Sequence, residues 1–283
     1  MRRLRPFATL AFALLGTSCF AVTNLDRFKQ TSGATGDFQD LSFTMRGAVP
    51  HLTNLFEYRV IDHNNIIQSR GVYNPLGAAD TTVNVAKAVQ RVNGPYRLDF
   101  YADRNFSGGW DGLNTGDLHD HGWRIDPLVS TDPAADPNGP AITIVYDHNL
   151  SFTELNEYPV GTVNPPKDPG VNATIHFANI DVYKDKLFEA RIADANGHTS
   201  GMYRVAALTT PTPDGTVGGI IDPEVEYDVT VYVDANGNGV YDNPAQNAGD
   251  HGFKVHLTST ATGLAFTFDP SALGDHTVDV GPP

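Results

Sequence analysis

Asp234, Asn236, Asn238, Gly239 and Asp242 stand at positions 1, 3, 5, 6 and 9 of the stretch DANGNGVYD. Side-chain oxygens at alternate positions converge when a backbone curls, and a glycine at the sixth permits the sharp turn. Hard cations such as Ca²⁺ take about six to eight oxygens at about 2.3–2.6 Å, so cation binding is the chemistry this spacing suits. The carbonyl of Val240, at position 7, is a further candidate donor. Position 12 is Ala245 rather than the Glu of an EF-hand, and Asp250 is the candidate replacement carboxylate. The same residues also read as a plain hairpin turn, because Asn and Gly accept positive φ and Asp bonds to nearby N–H groups.

The stretch has a counterpart 131 residues earlier: Tyr96–Asp111 (YRLDFYADRNFSGGWD) matches Tyr227–Asp242 (YDVTVYVDANGNGVYD). Asp103, Asn105 and Asp111, with Asp120, are the corresponding candidate ligands; Ser107 stands at position 5 with Phe106 before it. Trp110 and Tyr241 fall on one another, and either could stack on a sugar ring or cap the adjacent core. His121 and His251 recur within Asp-His-Gly-aromatic-basic, where strand alternation places each beside core residues Trp123 or Phe253. That placement reads as a buried, hydrogen-bonded ring. His119-Asp120-His121 is also a candidate hook for a transition metal.

The elements that must carry these loops repeat in the same order. Leu55–Asp62 (LFEYRVID) returns as Leu187–Asp194 (LFEARIAD) at an offset of 132, and Gly71-Val72-Tyr73 as Gly201-Met202-Tyr203 at 130. Each is an alternating strand. Asp120–Ile125 returns as Asp250–Val255, and Ala141–Asp147 closes the first half as Leu264–Asp269 closes the second. The pattern predicts an internal duplication of all-β type, two tandem antiparallel Greek-key β-sandwich domains. The expected boundaries are a signal peptide over 1–21, a tether over 22–40, sandwiches over 41–157 and 171–283, and a proline-bearing linker over 158–170. Arg59 and Arg191 are expected on outer strand faces, where Glu57, Glu189, Arg124 and Lys254 would form exposed pairs worth about 0–1 kcal/mol.

Twenty-seven glycines and 19 prolines in 283 residues favour short strands and turns. The formal charge is −14, and loss of Arg2, Arg3 and Arg5 with a leader would make it −17. So acidic a chain repels phosphate backbones, which argues against nucleic-acid partners. MRRLRP followed by Phe7–Leu15 reads as an export signal, its apolar run too short to span a bilayer. Cys19 is the single cysteine, so no intrachain disulfide is available. LLGTSC resembles a bacterial lipoprotein signal ending at Cys19, while Gly16-Thr17-Ser18 equally satisfies ordinary cleavage. Lipid anchoring and free secretion both stay open. No G-x-S-x-G, H-E-x-x-H, P-loop or dinucleotide fingerprint occurs, and the paired carboxylates lie inside the cation loops.

DANGNGVYD after an alternating strand resembles the calcium-loop B repeats of staphylococcal surface adhesins, which are β-sandwich spacers. The resemblance implies structural Ca²⁺ at Asp234, Asn236, Asn238 and Asp242, and at Asp103, Asn105 and Asp111. The family's Glu-Pro-Gly segment after the loop is missing here. PHLTNLFEYRV, YADRNFSGGWD and DHGWRI also resemble exported Gram-negative proteins, lipoproteins among them. The resulting expectation is a non-enzymatic cell-envelope structural or interaction protein with Ca²⁺-stabilised loops, partnered by a cell-surface protein or glycan. Its only membrane contact would be an N-terminal lipid. A carbohydrate-binding module using Trp110 and Tyr241 is the alternative, and a periplasmic transition-metal-binding protein using His119 and His121 the third.

Overall fold

The computed structural model describes residues 38–110, 120–148, 166–246 and 249–282. The expected signal peptide with Cys19, most of the tether, and all but the end of the linker lie outside these residues. So do Asp111 and His119.

The architecture is an all-β sandwich. The first half contributes β1 (Phe38–Arg46), β2 (Leu55–Ile61), β3 (Ile67–Tyr73), β4 (Thr81–Gln90), β5 (Arg97–Asp103), β6 (His121–Ile125) and β7 (Ala141–Asp147). The second contributes β8 (Val171–Phe177), β9 (Phe188–Asp194), β10 (Thr199–Val205), β11 (Gly215–Ile221), β12 (Glu226–Val233), β13 (His251–Thr258) and β14 (Leu264–Phe268). β1 thus begins inside the stretch expected as tether.

Both halves order their strands alike. The smaller sheets run β4-β1-β7 and β11-β8-β14, and the larger ones run β3-β2-β5-β6 and β10-β9-β12-β13. The larger pair is joined through β3 and β10 into one eight-stranded sheet. Not every pairing is antiparallel as expected: β1–β7, β8–β14 and β3–β10 are parallel. Residue alternation tells which face a side chain takes but carries no strand direction, so these long-range pairings left no pattern to read.

The seam decides where the cores lie. Phe56, Tyr58 and Val60 of β2 pack with Leu41, Phe43 and Met45 of β1 in the first core. Parallel pairing sets Met202 opposite Gly71 and Tyr203 opposite Val72. Met202 belongs to the first core, whereas Val72 and Tyr203 belong to the second, with Phe188, Ala190 and Ile192 of β9. Neighbouring residues of β3 and β10 therefore serve different cores, and the two cores lie on opposite faces of the continuous sheet.

The face that each half turns away from its own core is not an exposed polar surface, as expected, but a buried ionic layer. Glu57, Asp99 and Glu189 are 8%, 1% and 1% exposed. Glu57 pairs with Arg59 at 2.5 Å and Arg70 at 3.1 Å, and Glu189 with Arg191 at 2.7 Å and Arg204 at 3.2 Å. Arg124 does not join Glu57. It holds Asp99, its cross-strand neighbour, through two bonds of 2.7 and 2.9 Å. Lys254 does form an exposed pair as expected, but with Asp228, at 2.9 Å. The register places these partners within reach across a strand pair, which the linear spacing did not show.

Arg70 also spans the halves: from β3 it reaches Asp168 at 2.7 Å and donates to the Gly218 carbonyl of β11. Arg70→Ala leaves buried Glu57 with Arg59 as its one arginine and removes the bonds to Asp168 and Gly218, so urea denaturation should show a loss of about 3 kcal/mol.

Candidate functional site

The second candidate loop leaves β12 and returns into β13, whose ends pair as Val233 with His251. Asp234 and Asp250 therefore face one another just beyond the sheet, 6% and 3% exposed. Asp234 organises the turn. Its Oδ1 accepts from the backbone N–H of Gly237 at 2.7 Å and Asn238 at 3.2 Å, and its Oδ2 from Gly239 at 2.9 Å. The turn requires left-handed backbone at Gly237 (φ 74°) and Gly239 (φ 73°), which glycine adopts without strain.

The other expected ligands close over the same turn. Asn236 Oδ1 accepts from Asn238 N at 2.9 Å, and Asn238 Oδ1 from Val240 N at 2.7 Å. Both side-chain amides then donate to Asp242 Oδ2, at 2.6 and 2.8 Å. Asp250 Oδ2 accepts from the Asp242 backbone N–H and from the Tyr232 hydroxyl, each at 2.7 Å. Asp250 Oδ1 is buried and has no hydrogen-bond partner among the described residues. Five oxygen-bearing side chains thus gather at one apex, and one carboxylate oxygen there is unsatisfied. A buried acceptor left unpaired costs about 1–3 kcal/mol, which a cation ligand would offset. The donor set is all oxygen, the chemistry Ca²⁺ takes. An ion at this apex would require the Asn236 and Asn238 amides to turn their oxygens inward, because both now present nitrogen to Asp242.

The first loop repeats the arrangement around Asp103, which accepts from Ser107 N at 3.1 Å and Gly108 N at 2.7 Å. Asn105 Oδ1 also accepts from Ser107 N, at 3.0 Å. Asp120, fully buried, accepts from Arg104 N at 3.1 Å. Phe106 holds φ 60° at the place of Gly237, with its ring 67% exposed. A left-handed conformation costs an L-residue roughly 1–2 kcal/mol, less for Asn. Phe106→Asn is therefore expected to raise stability by about 0.5–1 kcal/mol in chemical denaturation.

Trp110 and Tyr241 lie against the outer face of the sheet. A Cβ on Gly122 would come within 2.6 Å of the Trp110 ring, which meets Tyr101 edge-on at 5.3 Å. Tyr241 sits 5.6 Å from the Tyr232 ring and donates its hydroxyl to Asp279 Oδ1 at 2.7 Å. Burial, then that acidic partner, pushes its pKa up to about 12. Burial also raises the pKa of Tyr101 and Tyr232, each with a carboxylate accepting its hydroxyl: Glu57 and Asp250 respectively.

His121 shares its face with Trp123, as alternation predicts, their rings 5.8 Å apart, but it is only half-buried. It also meets two histidines that the sequence analysis passed over, His51 and His148. They are distant in the chain, so spacing carried no signal of the cluster. His251 instead accepts or donates at Nδ1 with the Tyr183 hydroxyl and stacks near His276 at 4.2 Å. Burial lowers its pKa, and His276 adds to the shift.

No protein-family model matches this chain. No curated protein matches it either. Among solved structures it is similar to the Bacillus anthracis TIE protein at 8% identity and a TM-score of 0.20, covering 81% of this chain and 32% of that one. It thus spans about a third of that protein's length. It is also similar to the shaft pilin spaA from Lactobacillus rhamnosus GG (9% identity, TM-score 0.21, covering 81% and 96%). A third is the fimbrial anchor protein Mfa2 from Porphyromonas gingivalis (8% identity, TM-score 0.22, covering 77% and 82%). Likeness at this level carries no argument about what the chain does. Among the described residues, no helix is long and apolar enough to cross a membrane.

Proposed function

We propose that this is a non-enzymatic structural or interaction protein of the cell envelope, a doubled β-sandwich whose apical loops are clamped by Ca²⁺. The observation that carries the reading is the gathering of Asp234, Asn236, Asn238, Asp242 and Asp250 at one hairpin apex, with a buried carboxylate oxygen of Asp250 left unpartnered. Asp103, Asn105 and Asp120 occupy corresponding places in the first half, and the shared strand order of the halves supports gene doubling. The aromatic residues at the loop ends lean back onto Tyr101 and Tyr232, a posture suited to stiffening the apex.

A cation at this apex would tie β12 to β13 and hold the loop in one conformation, a use suited to an exported chain that cannot form an internal disulfide. Extracellular Ca²⁺ modules bind at about 0.1–1 mM. At about ten times Kd the stabilisation is about 1.4 kcal/mol per site, or a rise of about 3–6 °C in melting temperature for a unit of this size. The expected outcome is that chelator lowers the calorimetric melt by this amount and that Ca²⁺, but not Mg²⁺, restores it. Asp234→Ala should remove the share of the response that comes from the second loop. A melt identical in chelator and in excess Ca²⁺ would defeat the proposal.

A further inference from the structure

Three imidazoles from distant parts of the chain meet at the open side of the first sandwich. His51 ends a short 3-10 turn, Val49–His51, that precedes β2; His121 opens β6, and His148 directly follows β7. β6 and β7 are the outermost strands of their two sheets. The three rings therefore bridge the sheets where neither has a further strand. His51 and His148 are 0% and 5% exposed, and His121 forms the half-buried side of the cluster.

The separations suit a shared metal ion as well as they suit hydrogen bonding. His51 Nε2 lies 3.2 Å from His148 Nε2 and 3.4 Å from His121 Nδ1, and the three nitrogens are all within 4.8 Å of one another. Imidazole nitrogens about 2.0–2.1 Å from a tetrahedral ion stand about 3.3–3.4 Å apart. For His51 the outer shell is in place as well. His51 Nδ1 faces Asn54 Oδ1 at 3.3 Å, so the ring proton sits on Nδ1 and the Nε2 lone pair points at the other two rings. Trp123 walls the cluster, edge-on to His51, His121 and His148 at 5.4, 5.8 and 5.7 Å.

We propose that His51, His121 and His148 form a binding site for a divalent late first-row transition metal, Zn²⁺ foremost, distinct in residues and chemistry from the calcium loops. Three neutral imidazoles are the donor set such ions take, and water would supply the fourth ligand. Burial, with His121 beside it, lowers the His51 pKa to about 4, so this ring is neutral near pH 7. Burial lowers that of His148 too. The bound ion would stitch β6 to β7 and close the sandwich across its open edge. The second half lacks the set: Tyr183 stands where His51 would be, at the end of the matching turn Asp181–Tyr183.

Arg104 gates the site. Its Nη1 lies 3.0 Å from His121 Nε2, and a guanidinium only donates, so His121 Nε2 accepts and Nδ1 carries the proton. Metal binding releases the Nδ1 proton to solvent and takes one from solvent onto Nε2, and Arg104 swings away.

The test uses the full chain without an affinity tag, in millimolar Ca²⁺ so that the loops are saturated. Titration calorimetry should give one Zn²⁺ per chain, and Co²⁺ should show the visible bands of tetrahedral coordination. In a Trp110→Phe background Cu²⁺ should quench Trp123. His121→Gln and His148→Gln should each weaken Zn²⁺ binding about 10-fold or more and abolish the quenching. Arg104→Gln, whose carbonyl can accept from Nε2–H, should tighten it. His256→Gln, an exposed control, should change nothing. If His148→Gln fails to fold by circular dichroism, His121→Gln decides. Absence of stoichiometric Zn²⁺ binding, or binding undiminished by His121→Gln, overturns the proposal.

Discussion

The parallel pairing of β3 with β10 is the constraint on which the rest of the molecule depends. It turns two four-stranded sheets into one, and because paired residues share a face, it sends the two cores to opposite sides. Gly71 and Gly201 mark how tightly each half fits near the seam. A Cβ at Gly71 would fall 2.0 Å from the Tyr58 ring, and one at Gly201 would fall 2.6 Å from Ile220. Each strand of the seam must pack on two sides at once, so side-chain volume there is limited by both sandwiches.

The same arrangement explains the buried charges. Each half's sheet has one face on its own core and another beside the neighbouring half, where loops, the C-terminal segment and long side chains crowd it. Arg191 there donates to the carbonyls of Val280 and Pro282, and Arg204 lies 5.4 Å over the Tyr73 ring from the other side of the seam. Carboxylates so placed persist only when fully partnered, since removing one partner leaves an uncompensated charge. Glu57, Asp99 and Glu189 each have two arginines.

The chemistry of the molecule sits at the ends and open edges of this frame. Asp234 and Asp250 flank the β12–β13 hairpin apex, and Asp103 and Asp120 occupy the corresponding positions about β5 and β6. The histidine cluster lies where β6 and β7 face each other across the first sandwich. Backbone pairing leaves donors and acceptors unused in such places, so side chains must satisfy them.

Local information was enough for much of this. Alternation in LFEYRVI sets Phe56, Tyr58 and Val60 on one face, because the strand period of two is written in consecutive residues. The Asp, Asn and Gly spacing of DANGNGVYD was enough to place the turn and its left-handed Gly239, since a tight turn involves only residues a few positions apart. Strand direction, the seam, and the partners of Arg70 and Arg124 were decided only in three dimensions, where contacts join residues up to 148 positions apart. His51, His121 and His148 belong to that second class. Nothing in their spacing relates them, and only the closing of two sheet edges brings their nitrogens together.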